Sequence, residues 1–163
     1  MRVADSAPAD AERFMRIALQ SAERGMAAGG PPVGACLVRD GAVLVAGHNS
    51  VIADVDITAH AEIVVIREAC RQERSLSLKE TSLFVTVEPC PMCLSACHYA
   101  GVGEICFAAS IDSFNAVTGN ELCVSADQLF PADGAPSVSG GVLAAEAERL
   151  IDQWRALRQG RPA

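Results

Sequence analysis

The sequence predicts an α/β protein, because short apolar segments of strand length alternate with segments whose apolar residues recur at helical spacing. Two predicted strand-helix units share one sheet, which implies right-handed crossovers and a ligand site beyond the strand ends. The chain has 163 residues and half of them are apolar, so residues 10–163 are expected to form one domain after a short mobile segment, residues 1–9.

A helix and a hairpin are predicted first. Asp10 suits the N-cap of an amphipathic helix, whose apolar residues continue at helical spacing until a glycine pair at 29–30. Residues 33–39 and 42–48 are both apolar and short, and Asp40-Gly41 between them favours a two-residue turn. These two segments are therefore predicted to form an antiparallel hairpin.

The centre of the chain contains the strand-helix units. After a predicted loop at residues 49–58, helical spacing resumes over residues 59–71. Residues 82–87 form a β-rich run, and Pro91 can begin a helix to about residue 100, because proline suits the first helical position. Residues 104–108 are the next predicted strand.

The last third is predicted less completely. Residues 110–138 give only weak signals, with a short helical pattern over 122–129 and a turn at 131–134. Residues 143–157 then have the spacing of an amphipathic helix, which carries the only tryptophan of the chain, Trp154.

Charge and cysteine content limit the function classes. The formal net charge is -7 and the isoelectric point is about 4.9, which opposes binding to a phosphate backbone. Seven cysteines without a leader sequence or a membrane-length apolar run predict a reduced, cytoplasmic protein with no membrane association. A small-molecule substrate is therefore favoured, and nucleic acid is an unlikely partner.

The pattern with most chemical content is His60-Ala61-Glu62 followed by Cys90 and Cys93. One imidazole and two thiolates leave the fourth tetrahedral position of a zinc ion for water, as in catalytic zinc sites. Cys90 and Cys93 lie three residues apart where a helix begins, so both sulfurs can reach one metal ion. The predicted cofactor is Zn²⁺.

Glu62 is interpreted as the general base and acid instead of a ligand. Zinc lowers the pKa of bound water to about 7, and a nearby carboxylate can take that proton and return it to a leaving group. The backbone N–H of Ala61, at the entrance of the same helix, is expected to help hold the polar edge of a substrate.

These motifs resemble the zinc-dependent cytidine deaminase-like superfamily, in the branch of guanine deaminases and tRNA adenosine deaminases. The resemblance covers roughly residues 10–110. It implies a three-layer α/β/α sandwich around a five-stranded mixed sheet, and an Asn49 side chain that hydrogen-bonds the base. Ile57 departs from the family pattern, which usually has proline there, and the chain after residue 109 matches poorly.

Further residues near the motifs allow two interpretations each. Glu88 could orient ligands or substrate, or cap a helix; Phe114 could stack on a planar substrate or belong to the core. Glu121 and Asp127 are candidates for a second proton carrier, although solvated surface charge is the simpler interpretation. His98 is predicted to be a surface or interface residue, and His48 needs no function.

The remaining cysteines matter for the metal. Cys97 lies four residues after Cys93 and could be the fourth ligand of a structural zinc site. Four cysteines in apolar stretches are instead predicted to be core residues: Cys36, Cys70, Cys106 and Cys123.

The favoured function is zinc-dependent hydrolytic deamination of a nucleobase or related aminoheterocycle, guanine first, by a homodimer whose pocket is completed across subunits. Three alternatives remain: adenosine deamination in tRNA, deamination of cytosine, a nucleoside or an aminotriazine, and a non-enzymatic zinc module closed by Cys97. RNA binding would need clustered basic residues, and the last helix offers only four: Arg149, Arg155, Arg158 and Arg161.

Overall fold

The computed structural model describes residues 10–130 and 134–160. The strands are β1 (Gly34–Arg39), β2 (Ala42–His48), β3 (Ser82–Val87), β4 (Glu104–Ala109) and β5 (Ser137–Gly140). The helices are α1 (Ala11–Ala27), α2 (Val51–Asp54), α3 (Ala61–Glu73), α4 (Pro91–Ala100), α5 (Ile111–Thr118), α6 (Ala126–Leu129) and α7 (Ala144–Gln159).

The five strands form one mixed sheet in the order β2-β1-β3-β4-β5. Strand β1 is antiparallel to both β2 and β3, whereas β3, β4 and β5 run parallel. The parallel strands are connected through α4 and through the α5–α6 region. The five-stranded mixed sheet implied by the family resemblance is therefore confirmed.

Helices lie on both faces of this sheet. Gly34 of β1 pairs with His48 of β2, so these two residues share a face, and a Cβ at Gly34 would lie 2.1 Å from the carbonyl oxygen of Ala18 in α1. Gly47, one residue along β2, points to the opposite face, where a Cβ would contact Val64 of α3. The sandwich layers are confirmed, with α1 and α3 on opposite sides.

The hairpin turn has the backbone that its sequence predicts. Asp40 and Gly41 both have positive φ angles, 51° and 72°, as a tight turn between antiparallel strands requires. The pairing shifts between Leu37 and Val38 of β1, whose partners are Val45 and Val43, so Leu44 is the extra residue of a bulge in β2 close to this turn.

The start of α3 differs from the sequence prediction, and three elements were not predicted. The predicted loop 49–58 contains the short helix α2, and α3 begins at Ala61 instead of residue 59 because His60 is extended (φ -63°, ψ 154°). Helix α5 and strand β5 were not predicted. Asp10 occupies the N-cap position of α1, but its side chain makes no capping hydrogen bond.

Several predictions concern segments outside the described residues. The mobile segment 1–9, most of the turn at 131–134 and Arg161 belong to this group. Within residues 10–130 and 134–160, no helix is both long and apolar enough to cross a bilayer. The single-domain organisation stays a prediction.

The cysteine predictions separate into two groups. Cys36 and Cys106 are buried core residues, as predicted, and Cys70 is half-buried against the core. The core prediction for Cys123 is wrong, because the thiol is exposed in the irregular segment between α5 and α6. An apolar local composition did not reveal that this segment lies at the surface.

Candidate active site and metal centre

Three predicted zinc ligands come together at the start of two helices. His60 immediately precedes α3, Cys90 immediately precedes α4, and Cys93 lies in the first turn of α4. The Nδ1 atom of His60 lies 3.7 Å from the Cys90 sulfur and 3.6 Å from the Cys93 sulfur. Within the described residues, these three form the group whose ligand atoms all lie within 4.8 Å of one another.

These distances fit a zinc ion. Zinc–sulfur bonds of about 2.3 Å and zinc–nitrogen bonds of about 2.0 Å, at tetrahedral angles, separate sulfur from nitrogen by about 3.5 Å. The thiolate and imidazole donors are also those that zinc prefers. His60, Cys90 and Cys93 are therefore positioned to coordinate Zn²⁺, the cofactor expected from the sequence.

The local backbone explains why the ligands converge. Cys90 has an extended conformation (φ -69°, ψ 167°) after the end of β3, and Pro91 then occupies the first turn of α4. The positive end of the α4 dipole favours thiolate. Hydrogen bonds from Cys93 and His60 lower the pKa of the Cys90 thiol to about 4, against the opposing effect of burial.

Glu62 lies in the first turn of α3, beside the ligands, and is 3% exposed. Burial raises the pKa of its carboxyl group to about 7, and the nearby Cys90 thiolate acts in the same direction. Glu62 also lines a cavity together with His60 and Cys90. This carboxyl group therefore faces the space in which a substrate would meet the metal.

Cys97 does not join this group. Its thiol is fully buried one turn further along α4, and burial raises its pKa. The metal-binding set in the described chain consists of His60, Cys90 and Cys93. The geometry therefore gives no support to a structural site closed by a fourth cysteine.

This cavity has a volume of about 520 Å³ and is lined by two of the three ligands, His60 and Cys90. Three of the four predicted substrate contacts line it, namely Asn49, Glu88 and Phe114. Ala61 does not line the cavity: its side chain is fully buried at the first position of α3. The expected contact from its backbone N–H stays a prediction.

Asn49 turns the chain and also faces the cavity. Its side-chain oxygen accepts a hydrogen bond from the N–H of Val51 at 3.1 Å, which caps α2. Among the described residues, its amide NH₂ has no hydrogen-bond partner. The two interpretations of Asn49 are thus compatible, because different atoms serve each.

Glu88 and Phe114 both have structural contacts. A carboxylate oxygen of Glu88 accepts the N–H of Ile111 at 3.1 Å, so Glu88 caps α5 instead of the helix that follows it in sequence. Phe114 is 9% exposed and stacks on Trp154, with ring centroids 5.6 Å apart and an interplanar angle of 13°. It is a core residue that also forms one wall of the cavity.

Sequence reasoning missed part of this wall. Trp154 lines the cavity, although its spacing in α7 indicated only an amphipathic helix. Glu121 also lines it, whereas Asp127 does not. His98 is exposed and packs against Phe130, which agrees with the surface prediction. The available signal for Trp154 was that it is the only aromatic residue of α7.

The sequence matches known deaminases. Residues 8–109 match the cytidine and deoxycytidylate deaminase zinc-binding region. The chain is 41% identical over 98 residues to a tRNA-specific adenosine deaminase of Aquifex aeolicus and 41% identical over 99 residues to a guanine deaminase of Bacillus subtilis. Each match spans 60% of this chain and just under two thirds of the relative, 65% and 64%.

A longer match and two solved structures cover more of the chain. A tRNA-specific adenosine deaminase of Streptococcus pyogenes is 32% identical over 148 residues, 91% of this chain and 84% of that protein. A guanine deaminase structure from Nitrosomonas europaea has a TM-score of 0.80 at 27% identity and covers 95% of this chain and 87% of its own. A tRNA:A34 deaminase structure has a TM-score of 0.70 at 31% identity and covers 85% and 98%.

The matched region, residues 8–109, contains strands β1 to β4, the three metal ligands and the buried Glu62. With this match, the chain belongs to the zinc-dependent cytidine and deoxycytidylate deaminase family.

Proposed function

We propose that this protein catalyses the hydrolytic deamination of a free nucleobase, with guanine as the favoured substrate. One observation carries the choice of a free base: the residues that line the cavity include Glu62, Glu88 and Glu121 but, within the described chain, no lysine or arginine. A polyanionic substrate would have to approach this acidic lining against its charge. A neutral planar base would not.

The chemistry follows from the positions of the side chains. His60, Cys90 and Cys93 would hold zinc, and a bound zinc ion would supply an activated water for attack on the ring carbon that carries the amino group. Glu62 would take one proton from the attacking water and deliver it to the ring nitrogen, which keeps it. It would then move the second proton, from the new hydroxyl group, to the departing amine. One C–O bond forms, one C–N bond breaks, and ammonia leaves. A carboxyl pKa of about 7 suits a group that must both accept and donate a proton near neutrality.

Other side chains of the cavity would hold the base. The free amide NH₂ of Asn49 can donate to a ring nitrogen or a carbonyl oxygen, both of which guanine has. The stacked pair Phe114 and Trp154 gives the cavity an aromatic wall. Glu121 adds an acceptor for the N–H groups of a purine.

Adenosine in tRNA is the second candidate, because the relative that matches 91% of the chain is a tRNA-specific adenosine deaminase. The basic residues of α7 do not favour it. Arg155 pairs with Asp152 at 3.3 Å, and the Arg158 guanidinium lies 4.7 Å from the centroid of the Trp154 ring. Two of the described arginines are thus engaged within their own helix. Cytosine, a nucleoside or an aminotriazine would use the same reaction.

The test is an ammonia-release assay with zinc-loaded protein. The substrates are guanine, cytosine, adenine, their nucleosides, aminotriazines and a tRNA anticodon stem-loop, with the chelator-treated protein as control. We expect guanine to give the highest kcat/KM and the stem-loop to give no shift in a gel at low salt. Turnover of the stem-loop without turnover of free guanine would overturn the proposal. The predicted homodimer and cytoplasmic location remain predictions.

A further inference from the structure

We propose that His48 is a positioning residue: it fixes the backbone of Asn49 so that the free amide NH₂ of Asn49 is held in the substrate cavity. His48 is the last residue of β2, and Asn49 is the next residue in the chain. This inference rests on the proposed function only in assigning the Asn49 amide to substrate binding.

A hydrogen bond joins the two residues. The Nδ1 atom of His48 lies 3.0 Å from the backbone carbonyl oxygen of Asn49. A carbonyl oxygen can only accept, so Nδ1 must carry the proton and donate it. This contact selects the Nδ1–H form of the ring, because the tautomer of a histidine is set by the hydrogen bond it makes.

This hydrogen bond is one of three that hold Asn49 in place. The Asn49 N–H donates to the carbonyl oxygen of Val33 at 2.9 Å, and the side-chain oxygen accepts from the N–H of Val51 at 3.1 Å. With the His48 contact, the backbone N–H, the carbonyl and the side-chain oxygen are all engaged. Among the described residues, only the amide NH₂ lacks a partner, and Asn49 lines the cavity.

The space that the His48 ring occupies lies against α1. A Cβ on Gly25 would lie 2.9 Å from the Cγ of His48 and 3.0 Å from its Nδ1. Glycine at this point of α1 therefore leaves the space that the ring occupies. The carbonyl of Gly25 also accepts the N–H of Gly30 at 2.9 Å, and a Cβ on Gly30 would lie 3.4 Å from the Asn49 carbonyl oxygen. Two glycines thus leave room around one hydrogen bond.

Two substitutions separate the hydrogen bond from simple packing. His48→Phe keeps a ring in the space beside Gly25 but removes the Nδ1–H donor. His48→Asn shrinks the side chain but keeps an N–H donor attached to the same Cγ position. We expect His48→Phe to raise KM for guanine about tenfold with little change in kcat, and His48→Asn to restore most of the affinity. His98→Phe, at an exposed histidine of α4, is the matched control and should leave KM unchanged.

The coupling to Asn49 is tested by a double-mutant cycle. If His48 acts through the Asn49 amide, His48→Phe has no further effect on KM in an Asn49→Ala background. Additive effects of the two substitutions would overturn the inference, as would a His48→Asn variant no better than His48→Phe. Zinc content should stay at the wild-type level in all variants.

The tautomer of His48 can be measured by NMR without substrate, so this test does not depend on the proposed function. In ¹⁵N-histidine-labelled wild-type protein, we expect the His48 ring in the Nδ1–H form. The Nε2–H form, which free histidine prefers, would overturn the inference whatever the substrate is. If guanine is not turned over by wild type, the proposed function fails, and the cycle is measured with the base that the wild type does deaminate.

Discussion

The two parts of this chain contribute different things to one cavity. Residues 10–109 supply four strands, the three metal ligands and the buried Glu62, and they lie within the region that matches the family, residues 8–109. The described residues after 109 supply Phe114 from α5, Glu121 from the segment between α5 and α6, and Trp154 from α7 to the cavity wall. They also form the edge strand β5. The metal ligands and Glu62 thus lie in the first part, whereas the second part adds side chains to the cavity wall, where we expect them to influence the choice of substrate.

The largest expected effect lies in the first part. Glu62→Gln keeps the size of the side chain but removes the group that carries the proton, so we expect kcat to fall by about 10⁴-fold, below detectable ammonia release. Zinc, measured by metal analysis, should remain bound because Glu62 is not a ligand. Near-normal turnover in this variant would show that the role assigned to Glu62 is wrong.

A change in the second part should affect substrate binding without affecting the metal. Trp154→Ala removes the ring that stacks on Phe114, and we expect KM for guanine to rise about tenfold while kcat changes little. Steady-state kinetics on a zinc-quantified sample measure this. Trp154→Phe, which keeps an aromatic ring, is the control and should stay close to wild type. Loss of zinc in the alanine variant would show that the second part of the chain also supports the metal site.

The smallest expected effect is on stability and concerns Cys97, in the first part of the chain. Cys97→Ala should lower the free energy of unfolding by about 1 kcal/mol, because it removes a buried thiol, and should leave zinc content and kcat unchanged. Urea denaturation and metal analysis measure the two quantities. Cys93→Ala is the comparison variant, which should lose zinc. A Cys97→Ala protein without zinc would revive the structural-site alternative.

The same division explains how far sequence reasoning reached. Strand β3 and helix α4 begin and end where the sequence predicts, because Pro91 marks the start of α4 and Gly101, with a φ angle of 80°, marks its end. The metal ligands could be found because their chemistry depends on short spacings at these boundaries. Local signals and local chemistry coincide in this part of the chain.

The second part gave weaker signals for physical reasons. Strand β5 has the sequence Ser-Val-Ser-Gly, which has little strand propensity, and it forms through parallel pairing with β4 at the edge of the sheet. Helix α5 is capped by Ser110 and also by Glu88. Glu88 accepts the N–H of Ile111, which lies 23 positions later in the sequence. Capping and pairing partners so distant in sequence cannot be inferred from a local pattern.

The stacking of Trp154 on Phe114 has a practical consequence. This is the only tryptophan of the chain, and it lines the cavity. Indole emission depends on the polarity and mobility of its surroundings, so the molecule carries an intrinsic optical reporter at its binding site. Fluorescence titration of the unlabelled protein can therefore follow occupancy of the cavity, with no background from a second indole.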